Sequence, residues 1–170
     1  MTQVTLSQIH KYLTNSPTNG LSSKLREDLR KLRILKEGDL ECCTYFHLRT
    51  FLACDQNWRV FARKRSPKTG RYTDIMLYRG KKPQLAIEIK YDWDEPARKD
   101  RTSLVSVREK LGIQKTYFVT TLPSKKYKKS PKRKSEKYRH FEVIVDLGYV
   151  GRDKQQKIKA FEEAREQFME

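Results

Sequence analysis

The chain is 170 residues long, 36% hydrophobic and 35% charged, which predicts one domain with a sizeable buried core. No run approaches the ~20 apolar residues of a transmembrane helix, and the first residues lack the apolar segment of a secretory signal peptide. The formal net charge of +17 exceeds what solubility requires and predicts a polyanionic partner, nucleic acid rather than a membrane surface. Three cysteines without zinc-ligand spacing favour reduced thiols, so we expect a cytoplasmic protein that is not secreted.

The N-terminal residues carry the signals of two short helices. Thr5 or Ser7 can cap the first, and a segment rich in Asn, Pro and Gly ends it. A second helix, beginning near Ser22, spaces its leucines along one apolar stripe: Leu25, Leu29, Leu32 and Leu35. A DNA-binding helical head fits this pattern, but packing of both helices against the following domain is favoured. We therefore expect a helical extension at 1–37 and the main domain at 38–170.

The main domain alternates helical and extended patterns. Apolar periodicity predicts helices over 40–54, 99–111 and 152–168, and strands over 57–64, 72–78, 84–91, 116–121 and 141–147. Asp39 is predicted as the N-cap of the first of these helices. His47 in that helix could reach a substrate phosphate, but a polar interface histidine is the favoured interpretation. The resulting order is helix, three strands, helix, strand, basic loop, strand, helix.

The strands over 72–78 and 84–91 form a hairpin, with Gly80–Pro83 as the predicted turn. If the hairpin is symmetric about Lys81, Asp74 lies opposite Glu88, with Cβ atoms roughly 5 Å apart. The period of two in a strand puts Lys90 on the same face as Glu88. Like charges at opposed positions destabilise a sheet unless a cation lies between them, so the pattern predicts a divalent metal. A surface salt-bridge cluster is the simpler alternative.

This arrangement resembles the PD-(D/E)xK nuclease superfamily, which has the restriction-endonuclease-like fold. The residues that carry the resemblance are Asp74 and Glu88-Ile89-Lys90, with Thr73 where the family name has Pro. The triplet is the only acid-x-Lys sequence in a chain with 21 acids, and the resemblance spans about residues 38–147. It implies an α/β fold with an αβββαβ core, in which helices flank a mixed central sheet, and the predicted element order agrees.

The resemblance also implies hydrolysis of DNA with Mg²⁺, for which Mn²⁺ would substitute. Asp74 and Glu88 would be the carboxylate ligands and the backbone carbonyl of Ile89 a third ligand. Lys90 would orient or deprotonate the attacking water, or stabilise charge in the transition state, and both roles stay open. Many members place a further acid on the helix before the first strand. Glu41 is the favoured candidate and Glu37 the competing one.

Two basic segments are predicted to bind nucleic acid. The segment 125–139 holds nine Lys or Arg against one acid, and a second cluster precedes the hairpin. The candidate contacts are Arg63, Lys64, Lys68, Arg71, Lys125, Lys126, Lys128, Lys129, Lys132, Arg133 and Lys134. Neither cluster has a base-reading signature, so both predict affinity rather than sequence specificity.

The leading interpretation is a metal-dependent DNA endonuclease that is structure-selective or weakly sequence-specific. A non-catalytic nucleic-acid-binding module explains the charge equally well, but it does not explain an acid-x-Lys triplet placed on a strand. RNA as the substrate is a third, weaker interpretation. Cutting both strands of a duplex generally needs two sites, so a homodimer stays open.

Overall fold

The computed structural model describes residues 3–14, 19–31, 33–34, 36–65, 70, 72–91, 98–122 and 140–146, of which 98–101, 122 and 140–146 are described for the backbone alone. The helices are α1 (Leu6–Thr14), α2 (Leu21–Arg30), α3 (Glu37–Phe51) and α4 (Arg98–Leu111). The strands are β1 (Trp58–Arg65), β2 (Tyr72–Arg79), β3 (Lys82–Lys90), β4 (Lys115–Leu122) and β5 (His140–Asp146). The predicted basic loop at 125–139 and C-terminal helix at 152–168 lie outside the described residues.

One mixed sheet of five strands, in the order β1-β2-β3-β4-β5, organises the described part of the chain. The first three strands pair antiparallel, and β3, β4 and β5 pair parallel. Helix α4 makes the connection from β3 to β4, as expected because two parallel strands cannot be joined by a tight turn. The predicted α/β class is confirmed, and the elements from α3 to β4 follow the predicted order of one helix, three strands, one helix and one strand.

Each face of the sheet is covered by helices. Alternation in β3 sends Leu85, Ile87 and Ile89 into a cluster shared with α1, α2 and α3, and Ala86 into a second cluster shared with α4. Burial on both faces is what a continuous apolar run in a central strand predicts. Because α1 and α2 belong to the first cluster, they pack with the sheet. The division at residue 37 stays a prediction.

None of the helices in the described part of the chain is both long enough and apolar enough to cross a membrane.

The starts of the helices confirm one predicted cap and correct another. Thr5 Oγ1 accepts the N–H of Gln8 at 3.2 Å, while Gln8 Oε1 accepts the N–H of Thr5 at 2.8 Å, so Thr5 caps α1. The prediction of Asp39 as an N-cap is wrong. Helix α3 begins at Glu37, and the Asp39 carboxylate instead accepts the N–H of Lys36 at 3.2 Å, because an acid in the third helical position can satisfy the N-cap amide.

The half of the hairpin that lies away from the turn has the predicted register. Ile75 pairs with Ile87 and Leu77 with Leu85, which is the symmetry about Lys81. Between Leu77 and Tyr78 the register shifts, and the turn is shorter than expected because β3 already begins at Lys82. Gly80, with φ +60°, supplies the left-handed conformation that a tight hairpin turn requires.

Candidate active site at the end of the hairpin

The carboxylate of Asp74 binds the backbone of the opposite strand. The paired residues of β2 and β3 end with Ile75 and Ile87, and beyond them the Ile89 N–H donates to Asp74 Oδ2 at 2.7 Å. A residue in a strand directs its N–H and its C=O to the same edge. The Ile89 carbonyl oxygen therefore lies on the same edge of β3 as the Asp74 contact.

Two acids and one lysine set the electrostatics around Asp74. Burial raises the pKa of the Asp74 carboxyl, and the hydrogen bond from the Ile89 N–H acts against this rise. The charges of Glu41 and Glu37 raise the same pKa further, whereas Lys90 lowers it. The site thus concentrates negative charge around a half-buried carboxylate, a situation that an added cation relieves.

Glu41, the favoured fourth candidate, is buried on α3 and bound by Arg63 of β1. The Arg63 Nε donates to both carboxylate oxygens of Glu41, at 3.1 and 3.3 Å. Glu41 is 7% exposed, whereas the Arg63 side chain is 74% exposed, so the guanidinium covers the acid from the solvent side. The hydrogen bond and the charge of Glu41 raise the pKa of Arg63 above its ordinary value.

The backbone of Arg63 is unusual for a strand. Its φ is +45°, in the left-handed region that non-glycine residues rarely adopt. It lies between the pairs Ala62–Ile75 and Lys64–Thr73, which is the register position opposite Asp74. This local break in the extended backbone accompanies the contact with Glu41. It puts a permanent positive charge beside the carboxylates.

Glu37, the competing candidate, also lies at the site. Its Oε1 is 3.6 Å from Lys90 Nζ, and its Oε2 accepts the N–H of Tyr91 at 3.4 Å. The structure therefore brings both helix acids towards Asp74, one paired with Arg63 and the other with Lys90. The sequence alone did not distinguish Glu41 from Glu37 as the acid near the hairpin, and in the structure the charges of both raise the pKa of Asp74.

Glu88 lies one residue beyond the pair of Ile75 with Ile87, at the register position opposite Asp74. It is half-buried and shares its face of β3 with Lys90. This is the placement expected from the hairpin symmetry. Its direct cooperation with Asp74 stays a prediction.

The donor atoms at this site fit a hard divalent cation. Within the described ranges, no group of three or more His, Cys, Asp or Glu side chains could hold a metal ion. A metal here would depend on the carboxylates of Asp74 and Glu88, the carbonyl oxygen of Ile89 and water. Magnesium usually takes one or two carboxylates and keeps several waters, so an all-oxygen set of this size suits it.

His47 has a structural partner away from these carboxylates. Its Nε2 lies 2.6 Å from Oδ2 of Asp28 in α2, and Arg33 approaches the other carboxylate oxygen at 3.2 Å. Asp28 is 5% exposed, so the contact ties α2 to α3 through a buried acid. The prediction of a polar interface histidine is confirmed.

Of the predicted nucleic-acid contacts, Arg63 and Lys64 are described. Arg63 is engaged with Glu41, and Lys64 Nζ lies 5.0 Å from the centre of the Phe61 ring. The remaining candidates, Lys68, Arg71, Lys125, Lys126, Lys128, Lys129, Lys132, Arg133 and Lys134, lie outside the described residues. Arg59, which is not among these candidates, has its guanidinium 5.9 Å from the centre of the same ring. The i, i+2 spacing of Arg59 and Phe61 in a strand predicts that the two side chains share a face.

Comparison with protein-family models gives no match, and comparison with curated proteins gives none either. Among solved structures, the chain is similar to one in the refined half-complex from the tetradecameric assembly of Thermococcus gammatolerans McrB AAA+ hexamers with bound McrC. The identity is 10% and the TM-score 0.40, over 75% of this chain and 33% of that chain. This chain thus spans about a third of the length of that neighbour, and so low a TM-score carries no argument about function.

Proposed function

We propose that the protein is a divalent-metal-dependent endonuclease that hydrolyses phosphodiester bonds in DNA, with Mg²⁺ as its cofactor and Mn²⁺ as a substitute. The observation that carries this proposal is the hydrogen bond between Asp74 and Ile89, at 2.7 Å. It ties the upstream acid to the middle residue of the acid-x-Lys triplet, so that the four residues singled out by the sequence meet at one end of one hairpin.

The topology supports the restriction-endonuclease-like fold as the finer assignment. A helix carrying acids, an antiparallel three-stranded unit, a crossover helix and a parallel fourth strand occur in the order that this fold requires. Helix α3 packs with its Glu41 towards β1 and β2, on the side where Asp74 lies. In this proposal Glu37 and Glu41, the two acids of α3, both lie near the hairpin and influence the charge at Asp74.

The chemistry of the site follows from its oxygen donors and its lysine. A divalent cation, when bound, neutralises charge on the scissile phosphate and polarises its oxygens. Asp74, Glu88 and the Ile89 carbonyl would hold it. Lys90, on the face of Glu88, would hold the attacking water by a hydrogen bond and either take its proton or remain charged and stabilise the phosphorane-like transition state. Glu37, 3.6 Å from Lys90, would fix the position of the ammonium group.

The charge of the protein favours a nucleic acid as the polyanion. Arg63 of β1 lies next to the carboxylates, Lys64 follows it in the same strand, and the formal charge of the whole chain is +17. Phosphate contacts of this kind supply affinity without sequence information. We therefore propose cleavage that is structure-selective or weakly sequence-specific.

A cleavage assay on supercoiled and linear DNA tests the proposal. The wild-type protein should cut with Mg²⁺ or Mn²⁺ and not with a chelator, and Glu88→Gln should lose activity by at least ~100-fold, because removal of a ligand or a positioned acid–base group costs about this much. Lys82→Met, a change at the far exposed end of the same strand, is the matched control and should cut normally. Equal cleavage by Glu88→Gln and the wild type would overturn the assignment.

Calorimetry separates the enzyme from a non-catalytic nucleic-acid-binding module. Titration with Mn²⁺ should give a binding isotherm for the wild type, and Asp74→Asn and Glu88→Gln should abolish it. Tight DNA binding without any metal isotherm and without cleavage would instead favour the binding module. Cleavage of labelled RNA in preference to DNA would show that RNA is the substrate, and the proposed site would stay the same.

A further inference from the structure

A groove of about 340 Å³ opens beside β1, where the end of α3 meets the edge of the sheet. Two exposed arginines, Arg49 and Arg59, line it together with the apolar residues Leu52, Ala53, Trp58, Val60 and Phe61. The volume is at the lower end of the range for small-ligand sites, which suits one nucleotide rather than a duplex.

The exposed charge of the groove is positive although an acid also lines it. Asp55 is 4% exposed, and its carboxylate accepts the N–H of Val4 at 2.8 Å and two N–H groups of Asn57 at 2.9 and 3.0 Å. These hydrogen bonds lower the pKa of Asp55, so the acid is ionised and turned inwards. Arg49 and Arg59 are exposed, and an anion entering the groove therefore meets positive charge first.

The Phe61 ring lies among cations. The Arg59 guanidinium is 5.9 Å and the Lys64 ammonium 5.0 Å from its centre, and the Tyr78 ring packs edge-on at 5.3 Å. Phe61 is half-buried and is one of the residues that line the groove. An aromatic ring flanked by basic side chains is the combination that binds single-stranded nucleic acid, because each base has a stacking face and each linkage a phosphate.

We infer that this groove binds one unpaired nucleotide of a DNA strand, with its base against Phe61 and its phosphates at Arg49 and Arg59. The inference deepens the proposed function and rests on it for the link to cleavage. Arg59 and Arg63 both belong to β1, four residues apart, and Arg63 lies beside the carboxylates. A DNA strand held in the groove and running along β1 would pass within a few nucleotides of the site, so the preferred substrate carries an unpaired nucleotide close to the cut.

Binding measured in a chelator tests the groove without any contribution from cleavage. Fluorescence anisotropy would compare a short labelled single strand with the same sequence as a duplex, using the full-length protein. Phe61→Leu keeps an apolar side chain but removes the ring, so it should weaken single-strand binding by about 5- to 100-fold and leave duplex binding nearly unchanged.

Arg59→Gln is the second variant, because Arg59 is exposed and its loss leaves the apolar residues of the groove in place. It should weaken single-strand binding and reduce the slope of log affinity against log salt by about 1. Lys110→Gln, which removes an exposed charge on α4, is the matched control. The inference is overturned if Phe61→Leu, folded as judged by its melting temperature, binds single strands like the wild type, or if Arg59→Gln and Lys110→Gln weaken binding equally.

The two proposals can fail separately. If the wild type cleaves DNA and Phe61→Leu binds single strands as tightly as the wild type, the groove inference is wrong and the nuclease proposal stands. If Phe61→Leu loses single-strand binding and the wild type shows no cleavage with any divalent metal, the groove inference stands and the nuclease proposal is wrong.

Discussion

Arg63 in β1 and Glu41 in α3 meet at 3.1 Å, at the register position of β1 that faces Asp74. The arginine therefore places its charge where a bound cation would also act. Arg63 balances part of the charge of these acids, so under the proposed function a metal ion would bind in competition with it. This relationship has measurable consequences for metal affinity and for stability.

Replacing Arg63 should strengthen metal binding while it weakens DNA binding. Without the guanidinium the site is more negative, so we expect Arg63→Gly to bind Mn²⁺ about three- to tenfold more tightly, as measured by calorimetry. Glycine also accepts the φ of +45° that strains other residues. Arg63→Gly should therefore be about 1 kcal/mol more stable to denaturant than Arg63→Ala. Equal metal affinity in all three proteins would show that Arg63 does not compensate the acids.

Asp74 is expected to lower the stability of the metal-free protein. Its folded-state pKa is raised above the ordinary value of 3.8, so the ionised form is penalised at neutral pH. That penalty declines as the pH falls through the raised folded-state pKa, and it is absent below the unfolded-state value. We expect Asp74→Asn to raise the free energy of unfolding at pH 7 in a chelator, and this gain should shrink as the pH falls.

The same variant supplies a metal-dependent control. Saturating Mn²⁺, at about a hundred times its Kd, should stabilise the wild type by about 2.7 kcal/mol and leave Asp74→Asn unchanged. Thermal unfolding with and without metal measures both effects. An Asp74→Asn protein that is less stable than the wild type at pH 7 would contradict the electrostatic interpretation of this carboxylate.

Two substitutions of Lys90 separate its possible roles. Arginine keeps the charge but cannot release a proton at ordinary pH, whereas methionine keeps the length of the chain without the charge. If Lys90 takes the proton, both variants should lose about 10²- to 10⁴-fold in single-turnover cleavage. If it stabilises charge, Lys90→Arg should retain much more activity than Lys90→Met. Full activity in both variants would remove Lys90 from the chemistry.

DNA binding should weaken steeply as salt is added. Each phosphate neutralised by a Lys or Arg contributes a slope of about −0.9 in a plot of log affinity against log salt concentration. Lys64→Gln should make that slope shallower by about 1 and affect all sequences alike, which filter binding or anisotropy can measure. A flat salt dependence between low and physiological ionic strength would contradict the role of the basic strand β1.

The hairpin was predictable because its information is local. Period-two alternation and a symmetric turn fix which residues of β2 and β3 are opposed, and the pairs Ile75–Ile87 and Leu77–Leu85 follow that rule. The helix α3 was also found, but its start was not, because Asp39 is equally suited to the N-cap and to the third helical position.

The surroundings of Asp74 were not predictable in the same way. Which helix acid approaches the hairpin depends on how α3 packs across the sheet, and both Glu37 and Glu41 have sequence positions that allow it. The left-handed backbone of Arg63 has no signature in a run of strand-forming and basic residues. The fold class and the hairpin residues thus follow from the sequence, whereas the ion pairs around them depend on tertiary packing.

The site is assembled from parts of very different origin in the chain. Asp74 and Ile89 are fifteen residues apart and joined by one tight turn, so their contact persists wherever that turn forms. Glu37 and Glu41 arrive only when α3 docks across the strands. Since both acids belong to α3, the position of this one helix determines much of the negative charge around Asp74.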